Sequence, residues 1–201
     1  MKKWFYVIIL LIIVSFVSGF FLWKMMISPR YSLKQLDKAI SEKNITAFEK
    51  YVDLEQLIDS IIIQTWEYYT LEKKTETRWD EIRYAIGNSI LSLITPNLKE
   101  IIKREVVEYI AKGQWNELEK EPNEGFSSFI ITIIREKIDP GNWDYQSINY
   151  LRLREDYAFV GLTYYDQSRV TNFIVEVKMR NMKGYWQIIE ITNIAQLINL
   201  L

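Results

Sequence analysis

The chain of 201 residues contains neither cysteine nor histidine. Without cysteine it can form no disulfide bond, and it offers no thiolate for nucleophilic attack or metal binding. Without histidine it lacks the commonest general base, the commonest metal ligand and the usual switch near neutral pH. These absences exclude nucleophile–histidine catalysis and histidine metal sites. We therefore expect a protein that is not an enzyme and that uses no cofactor and no metal ion.

Glycine is scarce as well, with seven residues in the whole chain. The sequence has no phosphate-cradling loop and no G-x-G-x-x-G, G-x-S-x-G or H-E-x-x-H motif. Glu55 and Asp59 are four residues apart and share a helix face, and a later loop carries Glu119, Glu121 and Glu124. The loop glutamates lack the alternating Asp or Asn and the Gly of a dedicated calcium site. We interpret these carboxylates as solvated surface.

Neither sign of charge is in large excess, with 25 basic and 26 acidic residues. Residues 1–24 hold three lysines and no acidic residue, so residues 25–201 carry 22 basic and 26 acidic residues, a net charge of −4. Nucleic acid would require a basic face, and anionic lipid attracts polybasic segments. The composition therefore argues against nucleic acid as a partner, and it supplies no polybasic patch for lipid headgroups.

The most conspicuous segment is an uncharged run of twenty residues from Trp4 to Trp23. As a helix it would be about 30 Å long, which matches the hydrocarbon core of a bilayer. Lysines flank the run, and aromatic rings near both ends favour the headgroup layer. We predict a single-pass signal-anchor in the cell membrane over residues 1–27, which contacts the lipid bilayer through residues 4–23.

Two alternatives stay open for this run, a cleaved signal peptide and a buried core helix. A signal peptide normally has a shorter apolar region, and Val17-Ser18-Gly19 is a weak cleavage site. A buried core helix is the poorest fit, because nothing polar interrupts one face. Basic residues flank both ends, so the positive-inside rule favours neither orientation. Because the preceding tail is three residues long, we expect a cytoplasmic amino terminus and an extracytoplasmic main domain.

The stretch 28–138 shows mainly helical spacing of its apolar residues. Pro29 is expected to end the anchor helix, and Ser32, Asn44 and Asp53 are candidate N-caps of three successive helices. Further helical segments are expected at 79–95, 96–112 and 126–138, with a polar loop at 116–125. The last of these segments would also suit a strand, but its length favours a helix.

The spacing of apolar residues changes to period 2 over 144–192, which is typical of strands. The predicted strands are Tyr145–Arg154, Tyr157–Asp166, Val170–Arg180 and Tyr185–Thr192. Their short connections imply an antiparallel meander. The predicted fold is therefore α+β: an N-terminal transmembrane helix, then several helices packed on a four-stranded antiparallel meander sheet. Residues 28–201 would form one extracytoplasmic domain, with Ile194–Leu201 as a short helical tail.

Aromatic residues are abundant, with 7 Trp and 13 Tyr. One group surrounds a charged connection and is a candidate partner-binding patch, because Trp and Tyr concentrate at interface hot spots: Trp66, Tyr68, Tyr69 and Trp79. A second group lies in or beside the strands and is a candidate lining for a pocket between helices and sheet: Trp143, Tyr164, Tyr165, Tyr185 and Trp186. The simpler interpretation of both groups is that the rings fill the core.

The N-terminal third carries a set of residues that resembles a bacterial family catalogued as domain of unknown function 2939. After the apolar run, the matching residues are Ser28-Pro29-Arg30-Tyr31-Ser32-Leu33, Gln35-Leu36, Ala39-Ile40 and Phe48-Glu49-Lys50-Tyr51-Val52-Asp53. The resemblance implies a membrane-anchored envelope protein without a known activity or catalytic residue. The C-terminal half, ending in Gly184-Tyr185-Trp186-Gln187-Ile188-Ile189, is similar to the nuclear-transport-factor-2-like and cystatin-like folds, which include both enzymes and binding modules.

Together these features predict a membrane-anchored, non-catalytic accessory or binding protein that acts through protein contacts at the membrane surface. The alternative is a small-molecule- or lipid-binding module with a pocket between helices and sheet. A third class, a pocket enzyme that works with Asp, Tyr or Lys, has the least support in the sequence.

Overall fold

A computed structural model of the chain describes residues 11–19, 26–71, 96, 98–113 and 142–200. Within these residues it contains six helices and one four-stranded antiparallel sheet, so the predicted α+β class is confirmed. The helices are α1 (11–19), α2 (Pro29–Ser41), α3 (Ile45–Tyr51), α4 (Leu54–Leu71), α5 (98–112) and α6 (Ile194–Leu200). The strands are β1 (Trp143–Arg154), β2 (Tyr157–Asp166), β3 (Thr171–Asn181) and β4 (Trp186–Ile191).

Helix α1 lies within the predicted membrane anchor, and all nine of its residues are exposed. Its apolar side chains include Leu11, at 63% exposure, and Phe16, at 79%. The rest of the predicted run, residues 4–10 and 20–23, lies outside the described residues. Among the helices that the structure describes, none combines the length and the apolar character needed to cross a membrane.

Helix α2 begins four residues earlier than predicted, with its N-cap at Ser28 in place of Ser32. Ser28 is the N-cap, with an extended backbone at φ −86° and ψ 154°, and its hydroxyl accepts a hydrogen bond from the Tyr31 N–H at 3.2 Å. Pro29 occupies the first helical position, where its missing N–H costs nothing. The prediction of Ser32 as the cap was wrong because Pro29 and Ser28 already form a helix start, and Ser32 is buried inside α2.

The other predicted helix boundaries in the described part of the chain agree with the structure. The Asn44 side chain accepts from the Ala47 N–H at 2.9 Å, and the Asp53 side chain accepts from the Gln56 N–H at 3.2 Å. Both contacts satisfy backbone donors at a helix start. Gly113 follows α5 with a φ of 81°, in the left-handed region that favours glycine after a helix. The predicted segments 79–95, 116–125 and 126–138 lie outside the described residues.

The four strands pair in sequence order, β1-β2-β3-β4, and every neighbouring pair is antiparallel. The predicted meander is therefore confirmed, and each strand boundary differs from its prediction by at most two residues. Side chains alternate between the two faces of the sheet. The inner face of β3 buries Phe173, Val175, Val177 and Met179, whereas Thr171 at the start of the strand is exposed.

The inner face of the sheet and the helices build one apolar core. The β2 core residues include Ala158, Val160 and Leu162, which lie opposite Met179, Val177 and Val175 of β3. The helices contribute residues at helical spacing, such as Leu54, Ile58 and Ile62 of α4.

The β4 edge of the sheet pairs with the segment between α3 and α4. At the β4 edge, Val52 forms a parallel bridge to Ile188, and the Asp53 N–H donates to the Ile188 carbonyl at 2.8 Å.

The turn between β2 and β3 is built around a fully buried carboxylate, Asp166. Its oxygens accept the Ser168 hydroxyl and N–H, the latter at 2.8 Å, and the Arg169 N–H at 3.0 Å. The Arg169 guanidinium adds an ion pair at 2.7 Å. The Ser168 hydroxyl, followed by Arg169, outweighs desolvation and lowers the pKa of Asp166 to about 2 from an ordinary value of 3.8.

We predict that Asp166→Asn lowers the free energy of unfolding by about 2 kcal/mol near neutral pH, because each unit of pKa difference corresponds to about 1.4 kcal/mol. A carboxyl whose pKa falls on folding stabilises the folded state above its unfolded pKa, and this contribution disappears as the pH falls through the folded pKa. The difference between parent and variant should therefore shrink between about pH 4 and pH 2. Thermal unfolding of the full chain in detergent, followed by circular dichroism, measures it.

Asp144 provides a matched control for this prediction. Its carboxylate is exposed and accepts a hydrogen bond from the Gln167 side chain of the same turn at 2.7 Å. Asp144→Asn should change stability by less than about 0.5 kcal/mol, as expected for a surface contact. Equal effects of the two substitutions, or an Asp166→Asn effect that does not change with pH, would contradict the assignment.

Candidate functional site

Of the four described strands, β1 is the longest, and it lies at the edge of the sheet opposite β4. Within the described residues it pairs with β2 alone, and none of its twelve residues is buried. Shifts in pairing occur between Tyr145 and Ser147 and between Ile148 and Tyr150, as at β-bulges. Bulges twist an edge strand and limit indiscriminate pairing. Among the residues that the structure describes, the outer edge of β1 has no strand partner.

Four aromatic rings from three strands meet at the start of β1, and we call them the β1 aromatic cluster: Trp143, Tyr145, Tyr164 and Phe173. The Trp143 ring meets Phe173 edge-on, with 4.8 Å between ring centres, and Tyr164 stacks on Phe173 at 5.8 Å. Tyr145 meets Tyr164 edge-on at 5.8 Å. These geometries are the favourable ones for aromatic pairs.

The β1 aromatic cluster runs from the core to the surface. Phe173 is buried at 4% exposure, Trp143 and Tyr164 are partly covered, and Tyr145 is 55% exposed. Burial, with smaller effects of Tyr145 and Asp37, raises the pKa of Tyr164. The cluster is thus a rigid aromatic surface whose inner rings support the exposed one. Such supported rings can bury a large area at little entropic cost.

A second group of side chains crosses the outer face of the sheet, opposite the core. The Tyr150 hydroxyl of β1 donates to the Glu176 carboxylate of β3, and the intervening β2 position is Gly161. A Cβ at Gly161 would lie 2.5 Å from a carbon of the Tyr150 ring, so glycine is needed for the ring to lie across the strand. Arg152 stacks on the Tyr150 ring at 4.5 Å and forms an ion pair with Glu176 at 3.0 Å.

Glu176 is the centre of this group. Hydrogen bonds from the Thr192 hydroxyl and from Tyr150, supported by Arg152, lower the pKa of Glu176 against the effect of desolvation. Its backbone N–H donates to the Asn193 side chain at 2.9 Å. Both carboxylate oxygens accept hydrogen bonds in the structure, so Glu176 serves to hold β1, β3 and the end of β4 together. This arrangement suits a structural carboxylate better than a general acid or base.

The same outer face carries further pairs of cations and aromatic rings. Arg154 lies over the Phe159 ring at 5.9 Å, and Lys178 lies over the Tyr157 ring at 5.1 Å. Lys178 also contacts Glu190 at 3.2 Å. Cation–aromatic pairs of this kind keep long basic side chains flat against the sheet. The outer face is therefore mixed in charge.

The predicted pocket residues do not share one location. Trp143 and Tyr164 belong to the β1 aromatic cluster, whereas Tyr165 points to the outer face because side chains alternate along β2. Tyr185 and Trp186 lie at the other end of the sheet. Phe173 and Asn181, the β3 residues next to the two sites, are eight residues apart, which is about 26 Å in a strand.

Tyr185 and Trp186 join the sheet to α2 and α3. Tyr185 meets Tyr51 edge-on at 5.8 Å, and the Lys50 amine lies 5.0 Å from the centre of the Tyr185 ring. Trp186 is buried, its N–H donates to the Ser32 hydroxyl at 2.8 Å, and its indole N–H donates to the Ile27 carbonyl at 2.8 Å. These contacts explain why Ser32 lies inside α2.

The predicted partner patch is described in part. Trp66 and Tyr68 are half-buried on α4, and the Tyr68 hydroxyl donates to the Asn199 side chain of α6. Tyr69 belongs to α4, but the structure does not describe its side chain, and Trp79 lies outside the described residues. Tyr68 therefore contributes to the contact between α4 and α6.

Tyr145 and Phe173 of the β1 aromatic cluster were not among the residues predicted from the sequence, and neither was any residue of the group around Glu176. The single signal for that group was Gly161, since a glycine in the interior of a strand often marks a close approach. Within the described ranges, no three carboxylates come together as metal ligands would. Comparisons of the chain with protein-family models, with curated proteins and with solved structures found no match.

We predict that Gly161→Ala destabilises the domain by about 2 kcal/mol, because the new methyl group displaces the Tyr150 ring and weakens its contacts with Glu176 and Arg152. Gly184→Ala is the control, since a Cβ there meets nothing within 4 Å. Thermal unfolding of the full chain compares the two variants.

A double substitution separates this cause from a general effect of alanine at position 161. In a Tyr150→Ala background the ring is absent, and Gly161→Ala should then cost at least about 1 kcal/mol less than in the parent. An unchanged cost in that background would show that the Tyr150 ring does not require Gly161.

Proposed function

We propose that the protein is a membrane-anchored, non-catalytic binding protein whose domain contacts another protein at the membrane surface. The observation that carries the anchor is the exposure of α1. Nine consecutive residues there are exposed, although six of them are Leu, Ile, Val or Phe. An exposed apolar helix of this kind requires an apolar surrounding, and the uncharged run of twenty residues that contains it matches the thickness of a bilayer.

The proposed topology is single-pass in the cell membrane, with a cytoplasmic amino terminus and residues 28–201 on the other side. The connection to the domain is short, because α2 begins at Pro29. The resemblance to the bacterial anchored family agrees with this arrangement and stays a prediction.

The anchor is tested by extracting membranes that contain the full chain with alkaline carbonate, which removes peripheral proteins. The full chain should stay in the membrane, and a variant without residues 1–27 should appear in the extract, because the apolar run would be gone. The amino-terminal sequence of the mature protein is read from the same sample. A chain that begins after Val17-Ser18-Gly19 would replace the anchor by a cleaved signal peptide.

The proposed contact with a partner lies on β1. Its free edge can accept a further strand from another chain, as in strand-addition complexes. Beside that edge stands the exposed Tyr145, supported by Trp143 and Tyr164, and at the far end Leu153 is 61% exposed. Aromatic anchors supported from below are the typical hot spots of protein interfaces. The absence of histidine and cysteine and the occupied carboxylate of Glu176 support a role without catalysis.

Native mass spectrometry of the full chain, purified in mild detergent from its own host, tests the partner. We predict a co-purifying polypeptide whose recovery falls at least about tenfold in Tyr145→Lys, because a charge replaces the exposed ring at a hot spot. Ile63→Lys is the control, since Ile63 is also apolar and 48% exposed but lies on α4.

Three outcomes would contradict the proposed function. Equal loss of the polypeptide in both variants would move the contact away from β1. A retained small molecule or lipid in place of a polypeptide would favour the alternative, a ligand-binding module. A turnover measured with the purified protein would place it among enzymes.

A further inference from the structure

We infer that the turn between β3 and β4 is a second membrane contact, which rests on the headgroup layer of the bilayer that holds the anchor. This inference depends on the proposed anchor. The turn comprises residues 182–185, between the end of β3 and the start of β4. The turn would contact the lipid headgroup layer. We infer this contact from the position at which the chain passes from the anchor into the domain.

The segment that leads from the anchor into the domain is hydrogen-bonded to the start of β4. The Ile27 carbonyl accepts the indole N–H of Trp186 at 2.8 Å, and the buried Ser32 hydroxyl accepts the Trp186 N–H at 2.8 Å. Trp186 is 6% exposed; its hydrogen bond to Ser32 is buried and its hydrogen bond to Ile27 is partly buried, so both are protected from water to a large degree. The turn that ends at Tyr185 is therefore fixed relative to Ile27.

The distance from this point to the bilayer is limited by the number of connecting residues. Ile27 lies four residues after Trp23, the last residue of the uncharged run. A chain spans at most about 3.6 Å per residue, so Ile27 lies within about 14 Å of Trp23. With Trp23 at the interface, Ile27 cannot be further than that from the membrane boundary, and the Trp186 side chain joins the start of β4 to Ile27 through a hydrogen bond of 2.8 Å. The anchor holds the turn close to the bilayer, so the local concentration of lipid is high. Even a weak interaction between the turn and lipid is then enough to keep the turn on the membrane surface.

The side chains at this end of the sheet suit a lipid interface. Met182 is 38% exposed, Lys183 is exposed at the tip of the turn with a φ of 62°, and Tyr185 is partly exposed. The exposed Lys50 lies beside the Tyr185 ring. Tyrosine and lysine side chains place an apolar body towards the acyl boundary and a polar tip in the headgroups.

Acidic residues lie at the same end of the sheet, and they bear on whether the contact requires anionic lipid. The neighbouring β1–β2 turn contains Glu155 and Asp156, and the Asp156 carbonyl accepts the Asn181 N–H at 2.8 Å. These charges offset Lys183 and Lys50, so the surface is mixed rather than polybasic. We therefore assign an interfacial contact through Met182, Lys183 and Tyr185, which does not require anionic lipid.

The β1 aromatic cluster lies at the end of the sheet opposite this turn. Phe173 of that cluster and Asn181 beside the membrane turn are about 26 Å apart along β3. With the turn on the bilayer, the cluster and the β2–β3 turn with Val170 point into the aqueous phase. A protein partner would then meet β1 above the headgroup layer.

The chain contains no cysteine, so single cysteines report this orientation directly. Met182→Cys and Val170→Cys, each labelled with a nitroxide, are compared in the full chain in phosphatidylcholine vesicles; Val170 is 72% exposed at the opposite end of the sheet. Collisions with oxygen report lipid, and collisions with a water-soluble nickel complex report water. The oxygen-to-nickel ratio should be several-fold higher at position 182 than at position 170.

Lys183→Cys, labelled in the same way, provides a second site if the first variant fails to fold as judged by its thermal unfolding. Equal aqueous ratios at 182, 183 and 170 in protein that floats with the vesicles would overturn the membrane contact and leave the anchor intact. Protein that does not float with the vesicles would overturn the anchor and this inference together.

Discussion

The two hydrogen bonds of Trp186 determine how the rest of the domain is arranged. One joins β4 to the Ser32 hydroxyl inside α2, and the other joins the Trp186 indole to the Ile27 carbonyl before that helix begins. Both donors are buried groups that would be costly to leave unsatisfied. Because β4 is the strand that receives α2, α3 and α4, these bonds decide which edge of the sheet is covered. The opposite edge, β1, pairs with β2 alone within the described residues.

The covered edge and the open edge also differ in how their polar groups are satisfied. At β4, Asp53 donates its N–H to Ile188, and the Gln64 side chain donates to the Ile191 carbonyl at 2.7 Å. At β1, side chains on the outer face of the sheet make the stabilising contacts: Tyr150 and Arg152 both contact the Glu176 carboxylate. An edge strand without buried residues needs such cross-strand contacts, since burial alone cannot hold it. The network around Glu176 therefore helps to keep β1 in place.

Local features of the fold could be predicted from the sequence because their causes are local. The caps Asn44 and Asp53, the end of the helix at residue 112 and the period of 2 along the strands depend on residues within a few positions of one another. The start of α2 was misplaced because two serines, Ser28 and Ser32, both suit a helix start. The choice between them involves Trp186, which is 154 positions from Ser32 in the chain.

The candidate site was harder to predict for the same reason. Aromatic residues in β1 and β4 are equally compatible with one pocket or with two separate groups, and strand register alone separates them. Trp143 lies opposite Asp166, whereas Trp186 lies opposite Asn181, so the meander sends the two tryptophans to opposite ends of the sheet. The two groups of aromatic residues therefore have different structural roles. The group around Trp186 fixes the entry of the chain, and the group around Trp143 forms a supported surface beside a free edge.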